Sequence, residues 1–389
     1  MAALEEGKEE QKKLSLDSIL GKWSKGKQRE LGLRRLAERL LELDDRFDFK
    51  QSPRGWCYTL ENQRIINKGE FDRAEDAINT CRRLGYLPVH FCAEDASRVW
   101  EGVEEPTNES IENFFRRYVR AALNCYQYYN PDWWEGEKYY VQMLVEKVDL
   151  KSLFAPVCKK YHIPIANASG WSDINERAEM ADRYLAAEED RGQKCVLLYC
   201  GDHDPWGLKI ESTLRKNLQE LEEATGYSPD DLIIDRFGLN YDFIEANNLT
   251  WIDNLTTSSG KDMSKSYYCY NCHIQHQKGI LRCRNCNRKL YVQPLFVRDY
   301  IAEYGVRKCE ANALVVAPEQ GRQLAEDAIV KYLGLDPISR FEAKRNRIRK
   351  QFQRFRRQYP TLFNELESQL LFVGDSGGDD EKKENDEED

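Results

Sequence analysis

Apolar residues recur at helical spacing in two stretches near the start of the chain. Over residues 29–47, Leu33, Leu36, Leu40 and Leu43 mark one face and arginines take the other, which predicts a helix. Over residues 70–84, Phe71, Ala74, Ile78 and Cys81 repeat the pattern, and Gly85 is placed to end that helix. The apolar run at 87–92 (LPVHFC) then reads as a strand. Helix, turn, helix and strand in this order fit a winged-helix unit, and other small α+β domains fit as well. His90 and His162, both in apolar runs, read as core residues rather than ligands.

Beyond an aromatic-rich stretch with one helix over residues 111–126, the pattern changes. Residues 139–145 (YYVQMLV) form a run suited to a strand buried on both faces. Shorter strands are predicted at 162–166, 195–199 (CVLLY), 232–234 and 314–317 (LVVA), with helices at 172–189 and 207–225 between them. Strands alternating with helices imply a parallel α/β sheet that binds ligands beyond the carboxyl ends of its strands.

Three carboxylates fall at such ends. Glu146 follows YYVQMLV directly, and Asp202 and Asp204 lie in CGDHDPWG after CVLLY. Parallel neighbours would bring the two loops together although they are 56 positions apart, with Gly201 and Gly207 allowing a tight path. Packed, ionised carboxylates need a cation to offset their repulsion, and hard oxygen donors suit magnesium or manganese. Taken singly, a strand-end glutamate or a D-x-D pair is usually a surface feature; their joint placement is what points to a site.

The strand-end glutamate followed by G-D-x-D-P-x-G resembles the Toprim domain, and GDHDPWG resembles the form found in topoisomerase VI A subunits and meiotic double-strand-break proteins. Residues 308–314 (KCEANAL) are similar to that family's K-x-E-x-E-A-L segment, with Glu310 on its first acid and Asn312 departing from its second. Family members carry a tyrosine in R-x-x-[aromatic]-Y-x-L within a preceding winged-helix domain. Here Arg54, Tyr58 and Leu60 keep the spacing, while Cys57 replaces the aromatic residue. Residues 85–98 (GYLPVHFCAEDASR) resemble the family's G-x-I-P-x-x-x-I-x-D-x-x-R stretch. The resemblance implies a homodimer acting on double-stranded DNA, with Tyr58 of one copy working against the magnesium site of the other and attaching to a 5′ end. A tyrosine hydroxyl, with its pKa near 10, needs Arg54 or the metal beside it to gain phenolate character. The chain has 21 tyrosines, nearly all of them necessarily structural.

Of twelve cysteines, four form two close pairs, Cys269-x2-Cys272 and Cys283-x2-Cys286, ten residues apart. Two such knuckles can hold one structural zinc in a zinc ribbon. His273 and His276 lie between them as bystanders, since four thiolates close the site. The eight scattered cysteines read as small buried residues.

Composition refines this picture. With 41% hydrophobic residues the chain can build real cores, and no run approaches the roughly eighteen apolar residues of a membrane span. No secretory signal is visible at the start, so a cytoplasmic, nucleoid-associated place is expected, or a nuclear one in a nucleated cell. The net charge of −9 is uneven: residues 375–389 hold nine acids against Lys382 and Lys383, whereas residues 340–357 hold nine basic residues and one acid. That basic stretch can meet phosphates or simply face solvent. Residues 256–261 (TTSSGK) lack the glycine and the Ser or Thr of a phosphate loop, so ATP-driven strand passage would need an ATPase partner subunit.

The expected organisation is a flexible N-terminus (1–28), a winged-helix-like domain with the candidate tyrosine (29–105), and a linker helix (106–137). A Toprim domain (138–337) follows with a zinc ribbon inserted at 266–293, then a basic helical segment (338–373) and a disordered acidic tail (374–389). The leading expectation is tyrosine-mediated, metal-dependent double-strand cleavage. One alternative keeps the magnesium site but lets water attack, as in a plasmid- or phage-defence nuclease. Another is a non-catalytic zinc-containing DNA-binding protein.

Overall fold

The computed structural model describes residues 16–21, 26–93, 109–168, 174–257 and 260–371. The acidic tail, most of the N-terminal segment and part of TTSSGK lie outside the described residues. The chain forms two compact units, Met1–Val99 with Gly136–Gly334 and Trp100–Glu135 with Leu335–Asp389.

The first unit begins with four helices: α1 (Leu16–Leu20), α2 (Lys27–Asp44), α3 (Pro53–Asn62) and α4 (Phe71–Arg83). The leucines foreseen on α2 and the apolar face of α4 are buried. Helix α3 starts where Ser52 accepts a hydrogen bond from the Gly55 amide and Pro53 takes the first turn, where its missing N–H costs nothing. The strand expected at 87–92 is not formed, and residues 16–93 contain no strand among those described. Pro88 instead opens a turn closed by the Phe91 amide. That turn lets Phe91 stack on Trp56 with ring centroids 5.0 Å apart. The described residues of this part thus supply no strand for a winged helix. His90 and His162 are exposed rather than core residues, and His162 takes a positive φ of 55° just after a helix ends.

After α5 (Ile111–Leu123), which belongs to the second unit, the sheet begins. Its parts are β1 (Tyr139–Val145), α6 (Val148–Lys160), β2 (Ile165–Asn167), α7 (Ile174–Arg191), β3 (Lys194–Cys200), α8 (Ile210–Gln219), α9 (Glu222–Thr225) and β4 (Ile233–Gly238). The four strands are all parallel, in the order β2-β1-β3-β4. β1 and β3, the two central strands, are buried nearly throughout, as their unbroken apolar runs require.

Beyond α10 (Tyr241–Ala246), two-residue strands β5 (Tyr268–Cys269) and β6 (Ile274–Gln275) pair within the cysteine-bearing insertion. α11 (Leu295–Tyr304) and α12 (Pro318–Val330) complete the unit. The strand expected at 314–317 is replaced by a 3-10 helix, Ala311–Val316, packed against α3 and α6. A short apolar run fits any buried element, and here it is closed by local Glu310–Ala313 and Leu314–Ala317 backbone bonds.

In the second unit, α5 associates with α14 (Pro360–Leu371), and α13 (Pro337–Gln358) carries the basic stretch. Trp133 meets Phe341, and Phe352 bridges Tyr126 and Phe363. Arg347, Arg349, Lys350, Arg354 and Arg357 of α13 have no ion pair among the described residues. No helix among the described residues is long and apolar enough to cross a membrane.

Candidate active site and metal centre

The register of the sheet creates the acidic cluster. Val145 pairs with Cys200, so the residues that follow β1 and β3 emerge side by side. The Asp202 amide donates to Glu146 Oε2 at 2.7 Å, and the Glu146 amide donates to the Cys200 carbonyl at 2.9 Å. A Cβ on Gly201 would lie 2.7 Å from Glu146 Oε2 and 2.5 Å from the Tyr199 hydroxyl, and one on Gly207 would lie 2.1 Å from the Asp202 carbonyl. Only glycine fits at position 207, where the clash is with backbone; at position 201 a side chain would push Tyr199 and Glu146 aside.

Asp202 Oδ1 accepts the Ala311 amide at 2.7 Å, while His203 and Cys309 exchange backbone bonds of 2.8 and 3.0 Å. The KCEANAL segment is thereby clipped to the GDHDPWG loop. His203 itself is buried against Tyr300, 2.9 Å from its hydroxyl. Burial pushes its pKa down to about 4, so it is neutral at pH 7 and structural in its contacts. Asp204 Oδ1 accepts the Gly207 amide at 2.6 Å and caps the turn into α8.

A lysine, not foreseen in the sequence, supplies the compensating charge. The Lys147 ammonium sits 2.6 Å from Glu146 Oε1 and 3.0 Å from Asp202 Oδ2. Burial raises the Asp202 pKa against the lysine's pull, whereas Glu146, with the ammonium and the Asp202 amide beside it, is lowered despite its own burial. A neighbouring lysine thus does part of what was expected of a metal alone. Arg236 on β4, also unforeseen, holds the loop by donating to the Asp202 and Gly207 carbonyls, each at 3.0 Å.

The three acids offer hard oxygen donors that suit magnesium chemically. They do not yet close on one point. Among the described residues, Cys269, Cys272, Cys283 and Cys286 form the one group of three or more potential ligands whose donor atoms all lie within 4.8 Å of one another. The space between Glu146 and Asp202 is taken by the Lys147 ammonium.

Tyr58 lies on α3 and is 1% exposed. Its hydroxyl donates to Glu310 Oε2 at 2.5 Å, its ring packs edge-on against Phe71, and the Lys68 ammonium sits 3.9 Å from its ring centre. Burial and the adjoining carboxylate push the Tyr58 pKa far above its ordinary value; Glu310 is held low by the Tyr58 hydroxyl, Lys308 and Arg54, against the opposing effect of its own burial. The expected phenolate support from Arg54 is not its main contact. Its guanidinium pairs with Glu75 at 3.0 Å, Asp72 at 3.6 Å and Glu310 at 3.7 Å. Asp149 of α6 is fully buried and accepts both the amide and the hydroxyl of Ser52, tying the start of α3 to the sheet-bearing half of the unit. Asn312 is buried, and its Oδ1 has no hydrogen-bond partner among the described residues.

The cysteine cluster fits a structural metal such as zinc. The Cys269 and Cys286 sulfurs are 3.5 Å apart, and the Asn271 and Asn285 side-chain amides donate to Cys272 Sγ at 3.7 and 3.5 Å. Backbone amides of Cys286 and Asn285 help lower the Cys283 thiol to about 6, toward the thiolate that binds metal. His273 and His276 stay outside this four-sulfur group. Of the eight scattered cysteines, seven are buried as expected and Cys125 is exposed.

No family model, no curated protein and no solved structure matches this chain.

Proposed function

We propose that this chain is a metal-dependent DNA-cleaving protein of the Toprim kind, resembling the topoisomerase VI A subunit. The observation that carries the reading is convergence. Four segments scattered from Arg54 to Asn312, each picked out by its own motif, meet through named contacts: Glu146 with Asp202, Asp202 with Ala311, and Glu310 with Tyr58 and Arg54. A fold that used these residues only as surface polarity would have no reason to gather them.

A magnesium or manganese ion held by Glu146, Asp202 and Asp204 would supply positive charge for the phosphate oxygens of DNA. The protein groups do the rest. Tyr58 Oη forms the new bond to phosphorus and the 3′ oxygen of the neighbouring nucleotide leaves. The phenol proton passes to the Glu310 carboxylate beside the acidic loop that the tyrosine enters, and from there to the leaving oxygen. Because the hydroxyl is buried, α3 must draw away from Glu310 before DNA can reach it. The proposed working unit is a homodimer on double-stranded DNA, in which the tyrosine of one copy meets the acidic site of the other; an ATPase partner subunit would drive strand passage.

The burial of Tyr58 favours a second reading, in which it is scaffolding and water attacks the phosphate at the same acidic site. Both readings require the carboxylates. Purified protein incubated with supercoiled plasmid and manganese should linearise it, and Glu146→Gln or Asp202→Asn should abolish the breaks. Cutting at the parental rate by either variant would remove both readings.

A further inference from the structure

We infer that the cysteine module is a docking site for single-stranded nucleic acid, formed by a cationic, tyrosine-lined cleft on its surface. The inference rests on the DNA-cleaving reading and says where a strand is held beside the cutting site.

Charge is the first argument. From residue 261 to 289 there are seven lysines and arginines against one acid, Asp262, a net of +6 in a chain whose total is −9. Even four thiolates around a dication, a net of −2, leave the module at about +4. Within the module only Lys265 is paired with an acid, 3.7 Å from Asp262. Lys261, Lys278, Arg282, Arg284, Arg288 and Lys289 have no ion pair among the described residues. Unneutralised charge held this densely is costly unless a polyanion offsets it.

Shape is the second argument. A cleft of about 770 Å³ is lined by Lys261, Arg288 and Lys289 together with Tyr270 and Tyr291. The Lys261 ammonium rests 3.9 Å from the Tyr291 ring centre, and the Tyr270 hydroxyl donates to the Asp262 carbonyl at 2.6 Å, which fixes that ring. Cations that follow a backbone, interleaved with rigid aromatic rings, are what unstacked bases and their phosphates require. A duplex keeps its base faces inside the stack and presents none to these rings, so the cleft selects single strands or frayed ends.

Placement is the third. The root of the module is locked to the acidic site's own segment: the Lys308 ammonium, two residues from Glu310, donates to the Thr256 carbonyl at 2.8 Å, and Lys308 and Ile252 exchange backbone bonds. The Gln293 side chain closes the root by donating to the Met263 and Ser264 carbonyls. A strand held in the cleft would thus be held by a module whose root is bonded to the segment that carries Glu310.

The test uses the full chain with its metal, fluorescent oligothymidylate, and a duplex of equal length, with anisotropy read over a series of salt concentrations. Lys261→Gln/Arg288→Gln/Lys289→Gln should keep the parental metal content and melting temperature. It should weaken oligothymidylate binding roughly tenfold to a hundredfold and lower the salt slope by about 2, near 0.7 for each lost phosphate contact. Duplex binding should change less than single-strand binding. Tyr291→Leu, which keeps every charge, should weaken the single strand several-fold with the slope unchanged. Parental affinity and slope in the triple variant would overturn the inference. If a variant lacking Arg347, Arg349, Arg354 and Arg357 of α13 then lost binding instead, the DNA-cleaving reading would stand without this site. Failure of the parental protein to bind either nucleic acid would remove both.

Discussion

The hydroxyl of Tyr58 and the carboxylate of Glu310, 252 residues apart in sequence, share a hydrogen bond of 2.5 Å in a buried setting. It joins the helical N-terminal part of the first unit to the segment beside the acidic loop. A hydrogen bond to a charged acceptor out of water is among the stronger kinds. Tyr58→Phe removes the donor and leaves a buried carboxylate with Lys308, Arg54 and Lys68 nearby but no phenol, so the fold should lose about 1–3 kcal/mol. Glu310→Gln should cost less, because an amide can still accept. In a double-mutant cycle by denaturant unfolding, the two changes should couple by about 1 kcal/mol or more. Strictly additive losses would mean the contact does not hold the two parts together.

Lys147 stands between Glu146 and Asp202, which gives the site a charge balance that can be measured without any reaction. Lys147→Met leaves two buried carboxylates facing each other and should destabilise the metal-free protein by roughly 3 kcal/mol, the low end for breaking a buried pair, since all three side chains keep some exposure. Manganese should restore most of the lost melting temperature. Asp202→Asn should act oppositely. Burial holds the Asp202 pKa above its unfolded value, so the stability it confers is present at low pH and is lost as pH rises through the folded value. The amide variant escapes that loss and should melt at or above the parental temperature at pH 8, with the gap closing toward pH 4. A Lys147→Met protein indifferent to manganese would argue against a cation position there.

The cysteine module gives a third expectation. Purified protein should carry about one zinc per chain, with four sulfurs at roughly 2.3 Å in X-ray absorption. Cys272→Ser should release the metal and loosen residues 266–293 while the parallel sheet keeps its hydrogen-exchange protection. Absence of zinc, with all four thiols reactive in the native protein, would contradict this.

Much of this was legible in the sequence, for identifiable reasons. β1 and β3 announce themselves because a strand buried on both faces must be apolar at every position, and the paired cysteines because metal ligation fixes their spacing. The runs at 87–92 and 314–317 misled because apolarity reports burial rather than backbone shape; Pro88 and local turn bonds decided the first, and 3-10 bonds the second. Helix α3 was not foreseen, because its stretch from Trp56 to Leu60 is buried almost all round and shows no period. Lys147 was not legible at all. Its role depends on β1 and β3 being neighbours in register, and adjacency to Glu146 in sequence says nothing of Asp202. The pairing of α5 with α14 was hidden likewise, since the two helices lie more than two hundred positions apart in sequence.

The central claim is that Tyr58 leaves Glu310 and attacks DNA, and trapping the cleaved product tests it most directly. Parental protein, manganese and end-labelled duplex are incubated, denatured with detergent, and run on a denaturing gel. Transesterification consumes no water and keeps the phosphate on the protein. A labelled protein–DNA adduct that survives salt and boiling is therefore expected, attached at 5′ ends. Tyr58→Phe, folded and still binding metal and DNA, should show neither adduct nor breaks. Breaks with free phosphate ends, no adduct, and an active Tyr58→Phe protein would contradict the account and leave water as the nucleophile.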